Sequence, residues 1–117
     1  MGKFVIRHTA AGYKFDLCAD NGQSIAASEV YQSAAACRRG IASVRRSALT
    51  EKILDLTQPA GALTNPKFEL FQDRGGEFRF RLRARNGEII LASQGYCTKS
   101  GCEHGVACVR AHCEDPE

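Results

Sequence analysis

The chain repeats itself, and that limits its folds more than anything in its composition. Within the 117 residues, Phe15 to Arg45 align with Phe80 to Arg110 at a constant offset of 65, and 14 of the 31 aligned positions are identical. The shared positions include Phe15/Phe80, Leu17/Leu82, Asn21/Asn86, Gly22/Gly87, Ser28/Ser93, Tyr31/Tyr96, Cys37/Cys102 and Gly40/Gly105. Upstream, Lys3-Phe4 matches Lys67-Phe68 at an offset of 64, so the second copy carries one extra residue in its first turn, near Gly75-Gly76. A unit repeated at this length is one supersecondary motif whose copies bury a core together. We divide the chain into a first repeat (1–58), a linker (59–66) and a second repeat (67–117), together one compact domain.

Within each copy the period changes once. Phe4 and Ile6, then Tyr13, Phe15, Leu17 and Ala19, alternate with polar or small residues; Phe68 and Leu70, then Phe78, Phe80, Leu82 and Ala84, do the same. Period two is that of a strand buried on one face. Gly12 and Gly75-Gly76 mark the first turns, and Asp20-Asn21-Gly22 and Arg85-Asn86-Gly87 the second. A three-residue loop ending in a left-handed glycine would pair Leu17 with Ile25 and Phe15 with Ala27, gathering apolar residues on one side.

After the third strand, Ser33 or Thr98 stands as an N-cap, and the spacing predicts a helix to about residue 46 or 111. Cys37, Ile41, Val44 and Ala48, and likewise Cys102, Val106, Val109 and Cys113, form an apolar stripe to lie on the sheet. Gly40 and Gly105 interrupt these helices. Glycine costs about 1 kcal/mol relative to alanine there, which points to close packing, expected at the interface between the copies. Glu51 to Leu56 reads as a further short strand; the tail after Val109 is a poor one. The fold class is therefore α+β: two pseudo-symmetric β(3)-α-β repeats sharing one antiparallel sheet, with a helix from each packed against it.

The doubled pattern F-x-L-x-A-x-N-G-x-x-I-x-A-S-x-x-Y, followed by a helix ending G-[IV]-x-x-V-[RK], resembles the YegP-like family of small bacterial proteins, over roughly residues 3–56 and 67–111. The resemblance implies a β(3)-α-β unit, present in tandem or as two subunits, with a single sheet and exchanged terminal strands. It also implies a domain of unknown function, with no activity, cofactor or catalytic residue to carry over. The cysteine-rich second helix and the short tail depart from the pattern.

Composition excludes several function classes. The net charge is only +3, with 8 basic and 5 acidic groups in residues 1–62 and 8 of each in 63–117. Neither half is a strongly basic nucleic-acid footprint. No apolar run approaches a membrane span, and the first residues lack the apolar core of a signal peptide, so the expected setting is cytoplasmic with reduced thiols.

Four candidate chemistries follow. Arg79, Arg81, Arg83 and Arg85 fall on one face by period two, a row able to track phosphates or an acidic partner, although Glu69, Asp73 and Glu77 stand nearby to pair with it. His104, Cys108 and His112 recur every four residues with Cys97 just upstream. Three such ligands on one straight helix span about 12 Å, too far for a single ion, so no metal or other cofactor is expected. No nucleophile elbow, H-E-x-x-H or phosphate loop occurs, and His8 has no counterpart in the second copy, so no catalytic residues are expected. The repeated polar set Asn21/Asn86, Ser28/Ser93 and Tyr31/Tyr96 reads first as turn, strand-end and helix-cover residues and second as a site used twice. The expectation is a non-catalytic binding or interaction module, a monomer with internal pseudo-two-fold symmetry. Its rivals are nucleic-acid or acidic-partner binding through the arginine row, and a thiol-redox or metal-responsive protein.

Overall fold

The alternating segments form strands, and the amphipathic ones form helices. In the computed structural model, which describes residues 3–58 and 61–114, the order is β1 (Lys3–Thr9), β2 (Gly12–Cys18), β3 (Ser24–Ala27), α1 (Ala34–Ser47), β4 (Ile53–Asp55), β5 (Lys67–Gln72), β6 (Phe78–Arg83), β7 (Ile89–Ser93) and α2 (Lys99–Glu114). One seven-stranded sheet runs β1-β2-β3-β7-β6-β5-β4. The two repeats meet at its centre, where β3 pairs antiparallel with β7 through Ala26↔Ser93 and Ala27↔Ala92.

The shift in offset has its cause in the first turns. In the first repeat Thr9 pairs with Gly12 across a two-residue loop. In the second, the Asp73 N–H donates to the Glu77 carbonyl across three residues, ending in Gly76 at φ +88°. The second turns are three-residue loops in both copies, with Gly22 and Gly87 at φ +84° and +89°. The pairing beyond them differs from the expected one. Leu17 faces Ala26 and Asp16 faces Ala27, with a bulge that leaves Ile25 outside the ladder. Leu82 faces Leu91 in the same way, with Ile90 bulged. The extra residue puts Ala26 and Leu91 fully into the core and leaves Ile25 at its margin.

Both helices cover the face that carries Phe15, Leu17, Phe68, Leu70, Phe80 and Leu82, all essentially inaccessible to solvent. Cys37, Val44 and Ala48 of the first stripe and all four of the second join that core, while Ile41 is partly buried. The Ser33 and Thr98 hydroxyls accept from the N–H groups of Ala36 (3.1 Å) and Gly101 (3.0 Å), capping the helices as expected. α2 continues to Glu114, so residues 110–114 are helical rather than a fourth strand.

β4 is the exchanged strand, and it departs from an all-antiparallel sheet. It leaves the first repeat and pairs parallel to β5 of the second, through Ile53↔Phe68, Leu54↔Glu69 and Asp55↔Leu70. Asp55 is ion-paired to Lys99, which chiefly holds its carboxyl far below the usual range, and the Arg110 guanidinium donates to the Thr50 carbonyl at 2.9 Å. These contacts tie the end of the first repeat to the helix of the second.

Candidate functional site

The repeated polar residues are engaged in the backbone. The Ser28 hydroxyl accepts from the Phe15 N–H (2.9 Å) and donates to the Glu29 carbonyl (2.7 Å); Ser93 accepts from Phe80 (2.9 Å) and donates to Gln94 (2.8 Å). Each serine replaces the ladder partner of a buried strand residue at the end of β3 or β7. Asn21 and Asn86 close their turns by accepting from Gln23 and Glu88, both at 3.0 Å. Tyr31 bridges to Tyr13, and Tyr96 to Phe78, by reciprocal backbone bonds. Their rings stack on Phe15 and Phe80. The two phenols lie directly over Gly40 and Gly105. The helix glycines thus accommodate a tyrosine of their own repeat, not the other copy. Burial chiefly pushes both phenols above their ordinary pKa, with nearby Cys37, Glu29 and Glu88 adding to the effect at Tyr31 and Cys102 and Cys108 at Tyr96.

The arginine row divides. Arg81 and Arg83 each donate through Nε to one oxygen of Glu69, at 2.6 and 2.7 Å, and Arg79 donates to Asp73 at 2.6 Å. Arg81 also lies over the Phe71 ring, 4.6 Å from its centroid. The Glu69 pairs cross from β6 to β5 and the Asp73 pair joins β6 to the turn after β5, on the sheet face away from the helices. Burial raises the pKa of Glu69, but the hydrogen bonds and charges of Arg81 and Arg83 outweigh it and the net displacement is downward. Arg85 leaves the row because β6 ends at Arg83 and the turn at Gly87 redirects the chain.

Arg85 instead lines a cleft of about 600 Å³ with Arg46, Ser43 and Ser47 of α1, and with Asn86 and Pro66. A second hollow of about 410 Å³ shares Ser43, Ala84 and Asn86 with it and is bordered by Tyr31, Arg39, Gly40, Glu88 and Ile90. The groove therefore runs between the helix of one repeat and the second turn of the other. Among the described residues, the side chains of Arg39, Arg46 and Arg85 have no ion pair or hydrogen bond.

The pseudo-symmetry produces a counterpart. A hollow of about 290 Å³ is lined by Ala19, Gln23, Ile25 and Tyr96, which stand 65 residues from Ala84, Glu88, Ile90 and Tyr31. In the repeat alignment, however, Arg39, Arg46 and Arg85 correspond to His104, Ala111 and Asp20. Copy one's helix and copy two's turn carry these arginines, and their equivalents do not. From the sequence only Arg85, Asn86 and Tyr31 stood among the candidates; Arg39, Arg46, Ser43 and Ser47 carry no local motif.

Among the described residues no cluster of three metal-ligating side chains forms. Cys97 is exposed, Cys108 is half-buried, and Cys18, Cys37, Cys102 and Cys113 are buried free thiols. Burial pushes Cys102 and Cys113 up to about 11, so they are unreactive hydrophobes at neutral pH. His8 stacks on Tyr13 at 4.4 Å. No helix among the described residues is long and apolar enough to cross a membrane.

Comparison with known proteins agrees with the architecture. The family model described as a domain of unknown function, DUF1508, matches twice, at residues 9–55 and 73–117. The UPF0339 protein YegP of Escherichia coli (strain K12) is 35% identical over 100 residues, which are 86% of this chain and 78% of that protein. A UPF0339 protein from the ptx operon 5′ region of Stutzerimonas stutzeri is 56% identical over 48 residues, 41% of this chain and 43% of its own length. The solution structure of E. coli yegP, a protein of unknown function, superposes with a TM-score of 0.79 at 32% identity, covering 97% of this chain and 87% of that one. The UPF0339 protein SO3888 of Shewanella oneidensis shares the fold, with a TM-score of 0.79 at 23% identity over 97% and 86% of the two chains. With two matches to the family model, each taking one strand-rich unit and its helix, this chain belongs to the DUF1508, or UPF0339/YegP, family and carries its domain in tandem.

Proposed function

We propose that the protein is a non-catalytic binding module and that its ligand is an anion held in the groove between α1 and the second turn of the second repeat. The observation that carries this reading is the convergence of Arg46 and Arg85, one from each repeat and neither paired, on a single concave volume. A cleft of about 600 Å³ lies within the usual size of ligand sites, roughly 300 to 1,000 Å³. The non-catalytic part rests on the employment of the other candidates. Ser28 and Ser93 are bonded to backbone on both sides, and the tyrosine phenols are held neutral by burial.

Binding through the whole arginine row is the weaker form of the same idea. Arg79, Arg81 and Arg83 are already ion-paired to Asp73 and Glu69, and releasing Arg81 and Arg83 for a ligand would leave Glu69, at 5% exposure, with Lys67 alone at 3.6 Å. Titrating the protein with pyrophosphate at low salt, followed by amide chemical shifts, tests the reading. Shifts should cluster at residues 43–47 and 84–88. Clustering on β5 and β6, or no saturable shift at all, would overturn it.

A further inference from the structure

Resting on that reading, we propose that the groove takes a compact phosphate-bearing small molecule, with the phosphate between Arg46 and Arg85 and the organic part along Tyr31 and Ile90. Three observations separate this from a polymer. First, the two guanidinium groups face a concavity rather than a track, and the linear series of arginines on β6 is occupied by Glu69 and Asp73. A nucleic-acid backbone needs several phosphates neutralised in succession, and here it would meet Arg46 and Arg85 together and then Arg39 beside the acidic Glu88. At the positions equivalent to Arg85 and Arg46 the other copies carry Asp20 and Ala111, which offer nothing to a second phosphate.

Second, the neutral groups suit the remaining oxygens of one phosphate. Ser43 and Ser47 are four residues apart on α1 and therefore share a face, supplying two hydroxyls. Asn86 spends its carbonyl oxygen on the Glu88 N–H, so the group left for a ligand is its NH2 donor. Guanidinium forks and hydroxyl or amide donors together match the acceptor-only character of a phosphate. The C-terminal end of α1 opposes an anion with about half an elementary charge, against two full positive charges from Arg46 and Arg85.

Third, the groove changes character along its length. Beyond Ser43 and Asn86 it is bordered by Tyr31, Ala36 and Ile90 together with Arg39 and Glu88, a continuation of about 410 Å³ with mixed apolar and polar walls that a bare anion would leave unfilled. Glu88 and Arg39 stand at that end with opposite charges that offset one another, and Glu88 can accept from a hydroxyl or amine of the organic part. The ligand this describes is amphipathic: one phosphate and a small organic body.

The test uses the full chain, with phenyl phosphate, inorganic phosphate and a single-stranded oligonucleotide lacking terminal phosphates as probes, read by calorimetry and by amide shifts. Phenyl phosphate is expected to bind at least about tenfold more tightly than inorganic phosphate, and Arg46→Gln or Arg85→Gln to weaken it by about tenfold or more. Both residues are exposed, and an unchanged amide spectrum outside the groove verifies that each variant folds. If the oligonucleotide shifts the same amides as tightly as phenyl phosphate, or inorganic phosphate binds equally well, the compact-ligand inference is wrong while the anion groove stands. If none of the three binds at residues 43–47 and 84–88, both fall together.

Discussion

Tyr96 lies over α2 so closely that a Cβ at Gly105 would sit 2.5 Å from the phenolic oxygen and 3.0 Å from a Phe80 ring carbon. Tyr31 and Gly40 repeat the relationship in the first copy. The tyrosine fastens the end of the third strand to the second through its backbone and covers the helix with its ring, so the glycine is where strand and helix are locked together.

Gly105→Ala should therefore destabilise. Alanine gains about 1 kcal/mol of helix propensity in a free helix. Forcing a methyl against Tyr96 and Phe80 costs about 1–3 kcal/mol, and overpacking wins because the two rings are stacked on one another and both meet the methyl. Urea denaturation reads the sign, and in a Tyr96→Ala background the penalty should disappear. A more stable Gly105→Ala single variant would refute the packing argument.

Ser93→Ala and Ser28→Ala should cost similar amounts, about 1–3 kcal/mol each, because each strands the buried N–H of Phe80 or Phe15. Amide exchange at those two residues should accelerate in the matching variant alone. Unchanged protection would mean that other groups satisfy the donors.

Glu69 predicts an acid limb. Its folded pKa is displaced below that of an unfolded glutamate, since the arginine bonds outweigh burial. The unfolded chain thus takes up its proton first. The stabilisation is complete above the unfolded value of about 4.3 and is lost as pH falls below it toward the folded value. Glu69→Gln should flatten this limb and lower stability near neutrality by about 1–3 kcal/mol, less than a fully buried pair because Arg81 and Arg83 are 26% and 28% exposed. An acid limb equally steep in Glu69→Gln would assign it to other carboxylates.

Thiol labelling should order the cysteines by exposure. With Ellman's reagent at about pH 8, Cys97 reacts first and Cys108 later, whereas Cys37, Cys102 and Cys113 react only as the protein unfolds. Cys102 reacting as fast as Cys97 would contradict the burial of the α2 stripe.

The fold was legible where the signal is local or doubled. The offset change at Gly75-Gly76, the glycines at positive φ, the caps at Ser33 and Thr98 and the Cys37 and Cys102 stripes all appear in the sequence because each depends on neighbours within a turn. The bulges at Ile25 and Ile90 did not, since a bulge that moves Ala26 or Leu91 into the core has no residue signature of its own. The exchange of β4 came from the family likeness alone and its parallel direction did not appear at all, because a short strand carries no record of which edge it joins or which way it runs. Period two placed Arg85 with Arg79, Arg81 and Arg83, and failed where the strand ended. The groove stayed hidden because it joins Arg46 to Arg85, from different repeats, and neither residue means anything until the sheet centre brings the copies together.

The central claim is that Arg46 and Arg85, and not the β6 row, receive the ligand. The most direct measurement is pyrophosphate affinity by calorimetry for Arg46→Glu/Arg85→Glu beside Arg79→Gln/Arg81→Gln. The first pair should lose at least about a hundredfold and the second should change by less than about threefold. Loss in the β6 pair with retention in the groove pair would contradict the account.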